Sequence, residues 1–367
     1  MRVRLGDVCD RGTSNLKQSD ITDTSGEYPV YGASGLIGTV SFYHQKLPYV
    51  AVVKDGAGIG RTTLHPAESS VIGTMQYLLP KANILPEYLY YVVKHIHLEK
   101  YYTGATIPHI YFKDYKSEEF NLEPLEKQHI IVDMLEKIES VIEARQNELK
   151  RLDDLIKSRF VEMFGDPLFN TSGWEGIVLS AATIKIGSGA TPKGGKESYQ
   201  NEGISFIRSM NVHDGRFEYK DLAHITDVQA KQLDNVSVKE GDVFINITGA
   251  SVARSCIVPK EILPARVNQH VAIIRCDKTK LNPIFANNMF LNERFKKLLL
   301  SIGELGGATR QAITKQQLEM LTIILPPLKL QNQFADFVNQ VDKSKLLEWI
   351  NLAKKSFDLL HERICIW

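Results

Sequence analysis

Several segments carry residue types that bind or transform ligands, and their spacing decides what each can do. Gly187-Ser188-Gly189-Ala190-Thr191-Pro192-Lys193-Gly194-Gly195-Lys196 resembles a phosphate-binding loop, in which backbone N–H groups and a lysine cradle a nucleotide. The GxxxxGK[ST] order fails, because Ala190 stands five residues before Gly195 and Glu197 follows Lys196. A flexible basic loop is the reading that remains. Asn282-Pro283-Ile284-Phe285 is close to the N-P-P-[FY] signature of amino-methyltransferases but lacks its second proline. It suits a helix start, with Pro283 in the first turn. The ten histidines form no H-E-x-x-H pair, and His95 and His97, two apart, face different sides of a predicted helix. Cys9, Cys256, Cys276 and Cys365 include no C-x-x-C pair, and no G-x-S-x-G elbow is present. The sequence therefore names no catalytic residue and no metal site.

The elements around these segments belong to an ordinary globular chain. Its 367 residues are 43% hydrophobic and 24% charged, enough apolar material for a sizeable core, and at roughly 150 residues per domain the length implies two domains. Lysine and arginine number 44 against 43 acidic residues, a net charge of +1, so any basic surface must be local. Widely spaced cysteines, no signal-peptide core and no run of eighteen apolar residues point to a cytoplasmic protein that neither enters nor crosses a membrane.

The chain also repeats itself. Gly104-Ala105-Thr106 and Ile110 return as Gly307-Ala308-Thr309 and Ile313, an offset of 203 that continues through Leu122 on Leu325, Pro124 on Pro327, Leu125 on Leu328, Gln128 on Gln331 and Asp133 on Asp336. Upstream, Gly56-Ala57-Gly58-Ile59-Gly60-Arg61 resembles Gly249-Ala250-Ser251-Val252-Ala253-Arg254 at an offset of 193. A period this long means two copies of one domain rather than a solenoid. Each copy is followed by a helical tail. From Leu125 to Phe164 there is no glycine or proline, and Ile131, Leu135, Ile138, Ile142, Leu149, Leu152 and Ile156 fall on alternating four- and three-residue steps, interrupted only by Arg145. That is a coiled-coil seam. The second tail carries Phe334 and Val338, then, after a one-residue shift, Leu346, Ile350, Phe357, Leu360 and Ile364. Helices of this length reach about 60 Å, longer than a globular domain needs. The expected fold is α+β: two repeated mixed α/β domains, residues 1–122 and 166–326, with long helices at 123–165 and 327–367 packed as an antiparallel coiled coil. The alternative is that each helix packs on its own domain. Short apolar runs between glycine-rich turns predict strands, and helices are predicted over residues 86–100 and 283–300.

Two variable domains, each closed by a Gly-Ala-Thr segment and followed by a long helix, resemble the specificity subunit of type I restriction-modification systems. The helix openings Leu122-Glu123-Pro124-Leu125-Glu126-Lys127-Gln128 and Leu325-Pro326-Pro327-Leu328-Lys329-Leu330-Gln331 carry this resemblance. Phe160-Val161-Glu162-Met163-Phe164-Gly165-Asp166-Pro167 and Ala265-Arg266-Val267-Asn268-Gln269-His270 add to it. The resemblance covers essentially the whole chain. It implies two target-recognition domains that each read one half of a split site in double-stranded DNA, with the helices setting the gap and docking two methyltransferase subunits. It further implies that this chain holds no cofactor: S-adenosylmethionine, ATP and Mg would belong to the methyltransferase and the motor and nuclease subunits. The missing catalytic motifs agree with that.

Candidate DNA contacts follow from donor chemistry. Arg61 and Arg254 occupy the same place in the repeat, just beyond a glycine-rich turn, where a guanidinium could reach a phosphate or a guanine edge or could equally be structural. In the second domain Lys193, Lys196, Arg208, Asn268, Gln269, His270, Arg310 and Gln311 supply the donor types that base and phosphate reading needs, although Asn268 and Gln269 also suit loop cross-links. In the first domain the candidates are Lys54, Thr106 and His109. The net charges of the four segments are 0, −3, +3 and +1, so only the second domain leans basic, and much phosphate contact is expected from partner subunits. Two other functions fit the same sequence: a two-domain protein-binding scaffold, and an enzyme with a dispersed catalytic site.

Overall fold

The structure is a computed structural model that describes residues 1–21, 26–56, 58–103, 108–192, 194–304 and 311–363, without the side chains of Lys196 and residues 346–363. It forms two compact units, one built from Met1–Arg145 with the residues from Asn351 onward, the other from Gln146–Ile350. The division falls inside both long helices, whereas the boundaries expected from the sequence lie at residues 122, 165 and 326.

The first unit contains β1 (Arg2–Arg4), β2 (Cys9–Thr13), β3 (Tyr28–Gly32), β4 (Gly35–Val40), β5 (Tyr49–Val53), β6 (Thr62–His65), β7 (Ser70–Val71), β8 (Met75–Pro80) and β9 (Glu119–Asn121). They assemble as an antiparallel sheet β2-β8-β5-β6, a smaller sheet β4-β3-β7 with β3 and β7 parallel, and the pair β1-β9. Strand β5 is an unbroken apolar run because both of its faces are covered. Val50 and Val52 face the core that holds Leu89 and Val92 of the helix Pro86–Ile96, while Tyr49, Ala51 and Val53 pack with Tyr77 on the other side.

The second unit contains β10 (Glu175–Val178), β11 (Thr183–Ser188), β12 (Ile204–Ile207), β13 (Val212–His213), β14 (Arg216–Phe217), β15 (Ala223–Ile225), β16 (Val243–Asn246), β17 (Ser255–Ile257), β18 (Ala265–Val267), β19 (Val271–Cys276) and β20 (Thr322–Leu325). Its sheets β11-β19-β16-β17 and β15-β12-β18 and its pair β10-β20 repeat the first unit strand for strand, including one parallel pair, β12 with β18. The additional hairpin β13–β14 and the helix Asp227–Gln232 take up part of its greater length. The predicted helices are shorter than expected. Pro86–Ile96 stops at His97, which adopts a left-handed φ of 56°. The helix expected over 283–300 is two, Pro283–Leu291 and Glu293–Glu304, because Asn292 Oδ1 accepts from the N–H groups of Arg294 and Phe295 at 3.1 and 3.3 Å and so caps a new start.

The long helices span Leu125–Phe164 and Leu328–Arg363. In the second unit their segments run antiparallel. Phe160 and Phe164 meet Phe334 at 5.4 and 5.5 Å between ring centroids, Arg159 lies over Phe337 at 5.9 Å, and Lys345 pairs with Asp153 at 2.7 Å. Ile156, Phe334, Val338 and Val341 share one core there, with Leu152 packed against it. Ile131 and Leu135, expected on the seam, join the core beneath the first unit's large sheet, where the helix lies on its own domain over its first turns. Ile138, Ile142 and Leu149 are half-buried. Ile364 and the side chains of Leu346, Ile350, Phe357 and Leu360 lie outside the described residues. No described helix is long and apolar enough to cross a membrane.

One buried side chain fixes each helix to its domain. Gln128 Oε1 accepts from Leu85 N at 2.8 Å, and Nε2 donates to the carbonyls of Asn83 and Glu123 at 2.9 and 2.8 Å. Gln331 does the same with Asn282 N, Lys280 O and Pro326 O at 2.8, 3.0 and 2.8 Å. Both glutamines are fully buried. Gln128→Leu leaves one donor and two carbonyls unpaired, an expected loss of about 2–4 kcal/mol seen as a lower urea midpoint for the first unit, and Gln331→Leu does the same to the second. Midpoints equal to wild type in both variants would show the carboxamides to be dispensable.

Candidate nucleic-acid interface

The candidate residues of each unit gather where strands of the large sheet begin and end together. Val53 at the end of β5 faces Met75 at the start of β8, and Thr13 at the end of β2 faces Gln76. A hairpin turn joins β5 to β6, held by Val53 N to Arg61 O at 2.9 Å and Gly60 N to Val53 O at 2.9 Å. A later segment closes on this turn through Gly56 N to Pro108 O at 3.1 Å and Ile110 N to Lys54 O at 3.0 Å. The second unit makes the same bonds: Asn246 N to Arg254 O at 2.8 Å, Ala253 N to Asn246 O at 2.9 Å, Gly249 N to Gln311 O at 2.9 Å, and Ile313 N to Ile247 O at 2.8 Å. The offsets are 193 within the turn and 203 for the closing segment, those of the sequence repeat.

On this shared frame the side chains differ. In the first unit His109 Nδ1 lies 2.6 Å from Asp55 Oδ1, Lys54 Nζ stands 3.6 Å from Asp55 Oδ2, and Arg61 Nη1 donates to Ala33 O at 2.7 Å. Lys54, Arg61 and His109 are thus brought together, with the Arg61 guanidinium engaged in bracing a neighbouring loop. In the second unit the Arg254 guanidinium has no hydrogen-bond or ion-pair partner among the described residues. Thr191 Oγ1 donates to Gln269 Oε1 at 2.6 Å, Gln269 Nε2 lies 3.2 Å from His270 Nε2, and His270 Nδ1 bonds Thr248 Oγ1.

Asn268 is a buried brace: its N–H reaches Ile207 O at 3.0 Å, its carbonyl accepts from Gly189 N at 3.1 Å, and its Oδ1 accepts from His270 N at 2.9 Å. Arg208, at the end of β12, donates to Asp221 O and lies over the Tyr199 ring at 5.5 Å. Gln311 Nε2 donates to Glu304 at 2.9 Å. Arg208, Arg254, Asn268, Gln269, His270 and Gln311 therefore share one end of the second unit's sheets. Thr106, Lys193 and Arg310 lie outside the described residues, as does the Lys196 side chain.

Sequence reasoning missed Asp55, Thr248 and Thr191. Asp55 and Thr248 each stand immediately before the glycine that opens the repeated turn, and that position is the signal that could have found them. The described thiols are not suited to nucleophilic chemistry, since burial pushes Cys9, Cys256 and Cys276 up to about 12. Among the described residues no group of three or more His, Cys, Asp or Glu could hold a metal ion.

The family model described as "Type I restriction modification DNA specificity domain" matches residues 1–152 and 182–352. Two proteins of Methanocaldococcus jannaschii are similar to this chain. The provisionally named type I restriction enzyme MjaX specificity subunit is 24% identical over 347 residues, covering 87% of this chain and 76% of its own length. The type I restriction enzyme MjaIX specificity subunit is 26% identical over 287 residues, covering 71% of this chain and 63% of its own. Among solved structures, the type I restriction-modification S subunit from M. genitalium superposes with a TM-score of 0.59 at 12% identity, over 98% of this chain and 93% of that one.

The geometry separates braces from unengaged donors. Asn268→Ala keeps the two backbone bonds to Ile207 and Gly189 but strands the His270 N–H that Asn268 Oδ1 accepts from, and is expected to cost about 1–3 kcal/mol. Arg254→Ala, with no partner to lose, should stay within about 0.5 kcal/mol of wild type. Thermal unfolding of the two variants checks the contrast, and a large loss with Arg254→Ala would mean that the guanidinium is structural.

Proposed function

The chain belongs to the type I restriction-modification DNA specificity family, and on that premise we propose that each of its two domains reads one half of a bipartite site in double-stranded DNA. The long helices set the gap between the half-sites and dock two methyltransferase subunits, which bring S-adenosylmethionine. Motor and nuclease subunits using ATP and Mg complete the restriction enzyme, and this chain performs no catalytic step. The observation that carries the reading is the duplicated loop frame: one set of backbone bonds, made twice at offsets of 193 and 203, presents different polar side chains in the two copies. A protein reading two unlike sequences with one fold needs that combination, because phosphate contacts position a domain while base-edge contacts specify.

Methylation mapping tests the reading directly. The chain is co-expressed with its methyltransferase partner in a host lacking adenine methylation, and modified adenines are located by sequencing. A split motif with a fixed gap is expected. No modification, from an assembled complex whose methyltransferase works with another specificity chain, would favour a protein-binding scaffold instead.

A heptad inserted into both long helices, after Ile142 in the first and at the matching turn of the second, should lengthen the spacer by roughly 10 Å. At about 3.4 Å per base pair that widens the gap by about three base pairs and leaves both half-sites unchanged. Arg254→Ala is expected to weaken binding of the assembled complex to its site by about 1–3 kcal/mol if the guanidinium reads a base, or to lower the salt slope by about one if it meets a phosphate. Anisotropy titrations at several salt concentrations distinguish these from no contact at all.

A further inference from the structure

We infer that Asp55 and Thr248 are the corresponding base-reading positions of the two domains, and that the first presents a hydrogen-bond acceptor where the second presents a donor. This rests on the specificity reading above and names which residues carry it. The two residues occupy one place in the fold. Each precedes the glycine whose N–H closes the frame, Gly56 or Gly249, and each forms an antiparallel bridge with the closing segment, Asp55 with His109 and Thr248 with Ala312.

Hydrogen-bond direction then separates them. In the first unit His109 Nδ1–H donates to Asp55 Oδ1, and Oδ2, with Lys54 Nζ 3.6 Å away, accepts no hydrogen bond among the described residues. The side chains of Asp55 and His109 keep 28% and 40% of their surface exposed. A carboxylate accepts and never donates. Held between Lys54 and His109 it is shielded from phosphate repulsion, and its unused lone pairs suit an exocyclic amino group, N4 of cytosine or N6 of adenine. Opposite guanine or thymine it meets acceptors and is repelled.

The second unit runs the other way. The Thr191 hydroxyl donates to Gln269 Oε1, the Gln269 amide donates to His270 Nε2, and His270 must then carry its proton on Nδ1 and donate to Thr248 Oγ1. Every link points toward Thr248, whose own O–H has no acceptor among the described residues. That hydroxyl suits N7 or O6 of guanine, N7 of adenine or O4 of thymine.

Reciprocal exchange in the assembled methyltransferase complex tests this by methylation mapping. Thr248→Asp is expected to move one base of the second half-site to cytosine or adenine, changing preference there roughly tenfold or more, with the first half-site unchanged. Asp55→Thr should alter one base of the first half-site alone, and the near-isosteric Asp55→Asn should relax that same base while unfolding at the wild-type midpoint. A wild-type split motif that all three variants retain overturns the assignment and leaves the specificity reading intact. Modification lost equally for every sequence in folded, assembled variants also overturns it, since a reading residue changes which base is accepted. If the wild-type complex yields no split motif, the specificity reading falls and takes this assignment with it.

Discussion

Two buried carboxamides hold the architecture together. Gln128 and Gln331 stand in the first turn of the long helices, and each reaches back to the loop before a shorter helix. That shorter helix, Pro86–Ile96 or Pro283–Leu291, supports the large sheet: Leu89 packs with Val50 and Val52 of β5, Phe285 with Val243 and Ile245 of β16. A continuous path of packed and hydrogen-bonded groups therefore runs within each unit from the strand ends, through the sheet and the short helix, to the start of the long helix. An apolar residue at 128 or 331 could fill the volume but not fix direction. The carboxamide satisfies one donor and two acceptors at set angles, and so ties the helix to the sheet with an orientation as well as a contact.

The duplication separates what the fold requires from what the ligand requires. The turn after β5 and the turn after β16 share their backbone bonds, yet the residue at the third glycine of the first, Gly60, is Ala253 in the second. Gly60 has a φ of 82°, and a Cβ there would lie 2.7 Å from Glu99 N, so glycine is obligatory. Ala253 keeps a left-handed φ of 64° despite its Cβ, an arrangement that costs about 1 kcal/mol or more. The second copy bears this strain rather than let the turn relax, because relaxing it would release the Ala253 N–H from Asn246 O and move the segment that carries Thr248 and Arg254. Backbone shape is what the two copies hold in common; the side chains placed on it are where they part.

Much of this was legible in the sequence, for a physical reason. Offsets of 193 and 203 reappear as paired backbone hydrogen bonds because glycines and prolines at turns are constrained by φ, and that constraint survives divergence of surface residues. The long helices were legible from apolar steps sustained without a helix breaker. The identity of Gln128 with Gln331 was visible too, but not its role, since a glutamine in a helical pattern ordinarily faces water and only the packing of the short helix buries it. The second short helix was drawn too long because Asn292 interrupts a run that is otherwise apolar and helix-forming. Asp55 escaped notice for a similar reason: one carboxylate beside one lysine looks like a solvated surface pair until the fold brings His109 from a distant segment to its other oxygen.

The distribution of charge bears on how such a chain would engage DNA. Residues 1–122 carry no net charge and residues 166–326 carry +3, far less than a surface that holds DNA by phosphate neutralisation alone, where affinity rises with every counterion released. At the strand ends, Lys54 sits beside a carboxylate, Arg61 braces a loop and Arg208 is held to Asp221, which leaves Arg254 as an unengaged guanidinium among the candidate arginines described. What these ends offer in quantity is direction, through hydroxyl, imidazole and carboxylate groups whose donors and acceptors are fixed by their neighbours. Directional groups discriminate between bases and add little non-specific affinity. On the proposed reading, a chain built this way would select well and hold weakly, and would suit a complex in which other subunits supply the phosphate contacts while the two copies choose the sequence.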